Sequence, residues 1–371
     1  MATAKNPQEK INVLLVGLMT NGAMGDNFIT VANYLAPHLR THILSNSNIR
    51  SAQIKTSQNF LAVPFLRYQI LTFFNPLTYW RLVTYIIKCR ADVIYFLTPH
   101  PVNIIISLLF FYKPQIYYLH DPFLHSGLKK FDRAVIQFEY WVINKIVKKI
   151  IVAAKKLRQE MIDRHWHHYP PRQIKVIYLG LLNNLVFPLK KRPAQFDLLF
   201  FGRIEAYKGL DTLIQAMREL EDTKITCCLA GQGDIQEIYP NIGPLPANIT
   251  RINRYLPDAE LAELIQNCHG IILPYHDATG TQTIPLAFYY GKPVIATQVG
   301  SLGEYITHQK DGLLVPPDAP DLLAQQIRHL FAQPSLLNKL SHGAKQSFEQ
   351  KFYHKKIAAS HLKVISGILN V

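Results

Sequence analysis

The sequence predicts an α/β protein made of two doubly wound, Rossmann-like parallel-sheet domains. Short, continuously apolar, β-rich runs alternate with amphipathic stretches of helical period along the chain. Uninterrupted apolar strands separated by helices belong in parallel sheets covered on both faces. The rhythm occurs twice, and the stretch between, "LGLLNNLVFPLKKRPAQF", carries Asn, Pro and basic residues with no clear period. A length of 371 residues with 49% hydrophobic content suits two cores better than one.

In chain order, "INVLLVGL" reads as the first strand and "ITVANYLAPHL" as a helix. "ADVIYFL", "QIYYLHD" and "KKIIVAA" are later strands of the first half. The second half repeats the pattern with "FDLLFFG", "KITCCLAG", "GIILPY", "KPVIAT" and "GLLVPP". The expected domains are 1–183 and 184–352. The apolar "INVLLVGLM" follows Pro7 and Glu9 without a small-residue cleavage site, so a strand is expected there rather than a signal peptide. The apolar run "VNIIISLLFFY" is too short to span a bilayer.

The formal net charge of +15 is one-sided. Through Lys190 there are 23 Lys and Arg against 8 Asp and Glu; beyond it there are 17 against 17. Such a field suits an anionic partner: a membrane surface, nucleic acid or an acidic substrate. The competing reading is a basic surface that only aids solubility. Four cysteines, Cys89, Cys227, Cys228 and Cys268, have no CxxC spacing and signal neither zinc nor a disulfide framework, which fits a reducing compartment. "RHWHHYPPR" places His165, His167 and His168 close together, but without ligand partners at fixed spacing it reads as a solvent loop.

Ligands of open parallel sheets bind at the carboxyl ends of the strands, and with two sheets the expected site is the cleft between them. After "FDLLFFG" comes "RIEAYKGLDTLIQAM". Arg203 leaves the strand and Lys208 precedes the next helix, which suits a phosphate-bearing ligand. A strand-end Arg also commonly pairs with a nearby carboxylate. Gly231 and Gly233 of "GQGD" allow a tight turn beside a ligand, or form an ordinary strand-end turn. The stretch "HDATGTQTIPLAFYYGKP" places Thr279, Gly280, Thr281, Gln282 and Thr283 between an apolar strand and an apolar helix. A helix starting near Thr281 would aim unpaired amides and a partial positive charge at a diphosphate. Capping by Thr279 or Thr281 is the structural alternative. In "TQVGSLGEYI", Ser301 and Glu304 have capping-box spacing, which competes with a ligand-binding role for Glu304.

With these motifs in place, the second half resembles the retaining, nucleotide-sugar-dependent transferases of glycosyltransferase family 4. "FGRIEAYKGLDTLIQAM", "LAGQGD", "LPDAELAELIQNCHGIILPY", "GKPVIATQVGSLGEYI" and "DGLLVPPD" follow in that family's order over most of residues 196–330. The first half is similar more loosely, through "INVLLVG", "LHDPFLHSG" and "KVIYLG". The resemblance implies a GT-B fold, with the donor on the second domain, the acceptor on the first, and a last helix, about 353–371, packed back on the first. It implies that Arg203 and Lys208 neutralise the donor diphosphate. Thr281, Gln282 and Thr283 would meet phosphate, and His120 would reach the donor sugar; a buried histidine bonded to a backbone carbonyl is the competing role. Gly22 and Gly25 would form a first-domain loop facing the diphosphate. Many members carry two glutamates eight positions apart, where this sequence has Ala278 and Leu286. The chain looks like a subgroup with a small-polar junction, in which Asp277 is the nearest carboxylate.

The resemblance further implies retention of configuration, no metal and no cofactor besides the sugar nucleotide itself. The basic, aromatic-rich segments of the first half suit a membrane interface. The expected protein is therefore a cytoplasmic, membrane-peripheral enzyme acting on a lipid-linked, glycan or cell-envelope acceptor. The rivals are a catalytically inactive GT-B scaffold and a basic nucleic-acid-binding protein, although no nucleic-acid-binding motif is present. An NAD enzyme is disfavoured by the missing GxGxxG pattern.

Overall fold

The computed structural model describes residues 10–19, 22–47, 54, 60–63, 75–120, 122–123, 130–164, 170, 173–181, 186–188, 193–278 and 280–369. They form two compact units, Met1–Tyr178 with His354–Val371, and Leu179–Tyr353. The division falls between Tyr178 and Leu179, at the start of the aperiodic stretch. The amide of Leu179 already donates to the Tyr305 hydroxyl of the second unit, at 3.4 Å.

The first unit runs β1 (Asn12–Gly17), α1 (Gly22–Leu35), β2 (Arg40–Asn46), β3 (Phe60–Val63), α2 (Pro76–Cys89) and β4 (Val93–Phe96). It continues with α3 (Val102–Leu109), β5 (Gln115–Leu119), α4 (Lys130–Ile146), β6 (Lys149–Val152), α5 (Lys155–Asp163) and β7 (Ile174–Val176). The seven strands are parallel, in the order β3-β2-β1-β4-β5-β6-β7. Val13–Val16, Val93–Phe96 and Ile116–Leu119 are essentially inaccessible, as strands covered on both faces must be.

Helix α1 begins at Gly22 and contains both Gly22 and Gly25, which corrects the expectation of a glycine loop there. The physical reason is its apolar stripe. Phe28, Ala32 and Leu35 repeat at helical spacing and are fully buried, and packing of such a face extends a helix through residues of poor propensity. The Phe28 ring lies across Gly17, where a Cβ would stand 2.3 Å from it.

The second unit contains β8 (Phe196–Phe201), a short 3-10 turn (Ala206–Lys208), α6 (Leu210–Arg218), β9 (Cys227–Ala230), α7 (Ile235–Ile238) and β10 (Ile249–Ile252). It continues with α8 (Asp258–Gln266), β11 (Cys268–Leu273), α9 (Thr283–Tyr289), β12 (Val294–Thr297), α10 (Leu302–Tyr305), β13 (Gly312–Val315), α11 (Pro320–Ala332) and α12 (Pro334–Ser347). Its six parallel strands run β10-β9-β8-β11-β12-β13. The last helix, α13 (His354–Leu369), belongs to the first unit. There it packs on α1, with the Tyr34 and His354 rings 5.9 Å apart. All four cysteines are free and buried. Among the described residues, no helix is long and apolar enough to cross a membrane.

Candidate functional site

In each sheet the strand order reverses at one point, between β1 and β4 in the first and between β8 and β11 in the second. The loops at the carboxyl ends of such strands diverge and leave a crevice.

In the second unit the loops after β8 and β11 are tied together. The amide of His276 donates to the Tyr207 carbonyl at 2.8 Å. Gly209 stands with φ +62° where a Cβ would come 1.9 Å from the Pro274 carbonyl oxygen, so no larger residue permits this approach. Arg203 leaves β8 with its side chain 80% exposed, 3.7 Å from the Glu205 carboxylate. Lys208 closes the 3-10 turn, half-buried, with its amine 5.8 Å from the centre of the Phe200 ring. Desolvation lowers its pKa to about 8; Glu205 acts against the shift and Arg203 adds to it. A desolvated amine beside an exposed guanidinium is short of anionic charge, and a polyanion would supply it.

After β11, Tyr275 is buried and its phenol bonds the Thr283 side chain; burial pushes its pKa well above the usual value. His276 is held on both sides, Nε2 at 2.8 Å from Asp211 and Nδ1 at 2.5 Å from Asp318. Asp211 lies in the first turn of α6 and Asp318 follows β13, so one imidazole braces three loops of this edge.

Helix α9 begins at Thr283, two residues after Thr281, with Gln282 at its N-cap. The Thr281 hydroxyl oxygen accepts the Thr283 amide at 3.1 Å, so it takes up the first helical amide from one position before the N-cap, Gln282, whose own side chain makes no cap. The Leu286 amide bonds the Gln282 carbonyl at 3.2 Å, and Pro285 has no N–H. Few amides of this turn are left to meet a ligand, because a proline and a side-chain cap take up the first turn. Thr281 and Gln282 are buried, with the Gln282 amide 3.4 Å from the Gly180 carbonyl oxygen, and Gly280 is half-buried. Thr279 lies outside the described residues, as do His165, His167 and His168. Ala278 and Leu286 are both buried, and Asp277 is exposed.

Gly231 and Gly233 have φ +152° and +142°, and a Cβ on Gly231 would stand 2.0 Å from the Gly202 carbonyl oxygen. The "GQGD" turn therefore nests against the exit of β8. The capping box is not formed: Ser301 makes no side-chain cap, and the Glu304 amide bonds the Ser301 carbonyl at 3.0 Å. Glu304 is half-buried in this four-residue helix.

In the first unit, His120 directly follows β5, buried, with Nε2 3.0 Å from the Leu97 carbonyl oxygen and 3.4 Å from the Asn27 side-chain amide nitrogen. The histidine–carbonyl geometry is thus present. Beside it, the Met19 amide donates to the Thr98 hydroxyl at 3.0 Å, and Asn103 donates to the Thr98 carbonyl at 2.9 Å. Asn103 also donates to Glu139 at 2.8 Å, as do the Tyr117 hydroxyl at 2.6 Å and the His100 amide at 3.0 Å. Glu139 is fully buried and its pKa is raised to about 7, chiefly by desolvation. This network fixes the β4–α3 loop at the switch point. The sequence carries a signal for it: Glu139 interrupts the buried stripe Ile136, Tyr140, Ile143 of α4. The Asp211–His276–Asp318 brace carries no local signal, because its members come from distant loops, whereas Glu205 pairs with Arg203 only two residues away.

Residues 183–347 match the family model described as Glycosyl transferases group 1. The chain is similar to D-rhamnosyltransferase WbpZ of Pseudomonas aeruginosa, 30% identical over 159 residues that cover 42% of this chain and 41% of that protein. The matched stretch thus spans under half of that relative's length. It is also similar to GDP-mannose:glycolipid 4-beta-D-mannosyltransferase of Xanthomonas campestris, 28% identical over 102 residues, 27% of this chain and 29% of the relative. Among solved structures, Anabaena Alr3699/HepE in complex with UDP has a TM-score of 0.74 at 19% identity, covering 96% of this chain and all of that one. Identity that low carries the fold alone, and the fold is GT-B: two Rossmann-like parallel-sheet domains.

Proposed function

We propose that the protein is a glycosyltransferase that moves a sugar from a nucleotide-sugar donor to a glycan or lipid-linked acceptor, with retention of configuration. One observation carries the reading: Arg203 and the half-buried Lys208 stand together after β8, at the switch point of a domain that matches the group 1 family. Support for the donor class comes from the HepE structure, which holds UDP, and from the mannosyltransferase, whose name specifies GDP-mannose. That same name specifies a glycolipid acceptor.

The chemistry follows from charge. The bond between the anomeric carbon and the β-phosphate oxygen breaks with its electron pair going to the oxygen. The acceptor oxygen bonds the carbon on the same face, and its proton passes to the departing phosphate. Negative charge grows on the diphosphate, and cations already in place lower that barrier. Arg203 and Lys208 supply them, without a metal ion in this reading. Gly231, Gly233, Thr279 to Thr283 and Glu304 would line the donor, and His120, with the helix end at Gly22 and Gly25, belongs to the first unit's contribution. The enzyme would work at the cytoplasmic face of a membrane.

A thermal-shift panel of UDP-, GDP- and ADP-sugars tests this. A donor at 100 times its dissociation constant stabilises by about 2.7 kcal/mol. Arg203→Ala and Lys208→Ala should abolish the shift and lower turnover about a hundredfold or more. Full shift and activity in both variants would remove the site. The burial of Ala278 and Leu286 where many relatives have glutamates favours one second reading, an inactive scaffold; donor turnover by the purified protein excludes it.

A further inference from the structure

Nine of the thirteen large apolar side chains exposed among the described residues lie on or just after α2, α3 and α4. These helices make three successive crossovers, β3 to β4, β4 to β5 and β5 to β6, all advancing in one direction across the sheet. Right-handed crossovers then place all three on one face. Each helix ends at the amino end of the strand it feeds, and neighbouring helices pack about 10 Å apart. The exposed apolar groups near their carboxyl ends therefore fall along one border: Ile87 of α2, Leu109, Phe111 and Tyr112 at the end of α3, and Trp141 of α4, each 52–69% exposed.

Cations are interleaved with them. Lys88 and Arg90 follow Ile87, and Lys113 sits 5.8 Å from the centre of the Tyr112 ring. Lys145 lies 3.9 Å over Trp141, which stacks on Phe138. No Asp or Glu occurs from Asn75 to Ala91 or from Leu97 to His120. Asp92, which follows α2, accepts from the Asn12 amide at 2.8 Å. Asp132 lies in the first turn of α4, at the end far from this border, and Glu139 of α4 is buried.

We propose that this border of α2, α3 and α4 is a docking surface for an anionic phospholipid bilayer, with Phe111 and Tyr112 as the wedge between headgroups and the flanking Lys and Arg on lipid phosphates. The proposal deepens the membrane-peripheral part of the functional reading above and rests on that part alone. The charge pattern decides the occupant. Two copies meeting through this patch would set its cations against each other with Asp92, already engaged by the Asn12 amide, as the nearest carboxylate, which disfavours an isologous dimer. A nucleic acid would answer the cations but leave the aliphatic and aromatic groups in water. Aromatic rings interleaved with basic side chains match the headgroup region, where one part is apolar and the other wet.

The test is co-sedimentation of the full chain with vesicles of phosphatidylcholine containing about a third phosphatidylglycerol, beside vesicles of phosphatidylcholine alone. Binding is expected to the anionic vesicles only, and to weaken strongly as salt rises from about 0.1 M to about 1 M, where the screening length falls from about 10 Å to about 3 Å. Phe111→Ser with Tyr112→Ser should weaken partitioning at least about tenfold. Lys88→Gln with Lys145→Gln should weaken it about fivefold per charge removed. The donor-induced thermal shift, read on the same samples, shows that the variants are folded and scores the transferase reading separately. Wild-type chain that ignores anionic vesicles overturns the proposal, as do folded variants that bind like wild type. A dimer dispersed by the aromatic pair, or RNA binding in place of vesicle binding, also overturns it.

Discussion

The hydroxyl of Tyr95 on β4 and the imidazole Nδ1 of His361 on α13 lie 2.8 Å apart in the core of the first unit. They are 266 positions apart in the chain, so the first unit is complete only when its last helix is in place.

His361 is fully enclosed, and burial lowers its pKa from 6.5 to about 3. The fold holds the ring neutral while the unfolded chain takes up a proton below about 6.5. The unfolded state then binds more protons, so stability falls as pH drops from about 6.5 towards 3, by about 4 kcal/mol at the acid end. His361→Gln should be less stable at neutral pH but lose less on acidification. Urea midpoints measured at several pH values check this.

Glu139 has the opposite sign. Its carboxyl is raised from 4.5 to about 7 by burial, so the folded state holds the extra proton between those values. Stability contributed by the neutral acid is therefore present below about 4.5 and lost as pH rises through about 7, worth about 3 kcal/mol in all. Its Oε2 has no hydrogen-bond partner among the described residues, so ionisation there leaves a charge unsatisfied. Glu139→Gln keeps acceptance from Tyr117, Asn103 and His100 and should flatten this limb. A stability–pH curve unchanged by the substitution contradicts it.

Lys208 ties donor affinity to pH. With its pKa lowered to about 8 it is charged below that value and neutral above. If the ammonium meets the diphosphate, affinity should fall up to about tenfold per pH unit above 8. Lys208→Met should bind weakly with no such limb. Titration calorimetry across pH 7 to about 9.5 reads both.

Gly209→Ala places a Cβ 1.9 Å from the Pro274 carbonyl at φ +62°. The strained conformation and the clash together should cost about 2 kcal/mol or more. Because the displaced loop carries Lys208, donor affinity should fall in the same variant. A melting temperature and affinity equal to wild type refute this.

Much of the architecture was legible locally. Continuous apolar runs such as "FDLLFFG" and "GIILPY" mark strands buried on both faces, whatever lies beside them, and Arg203 and Lys208 could be placed at a strand end from order alone. Helix starts were less legible. Gly22 and Gly25 argue for a loop by propensity, and only the burial of Phe28, Ala32 and Leu35 holds them in α1. Position along the chain leaves the amides near Thr281 available, and only the structure shows its own hydroxyl accepting from Thr283.

The amino-acid order by itself determined the alternation of strands and helices, the basic first half and the cations after β8, because periodicity, charge and strand-end position are properties of neighbours along the chain. Tertiary structure alone decided that His276 braces Asp211 and Asp318, that Glu139 is buried with its pKa raised, and that His361 completes the first unit. Desolvation and hydrogen bonding depend on groups brought together from distant positions, and no local pattern contains them.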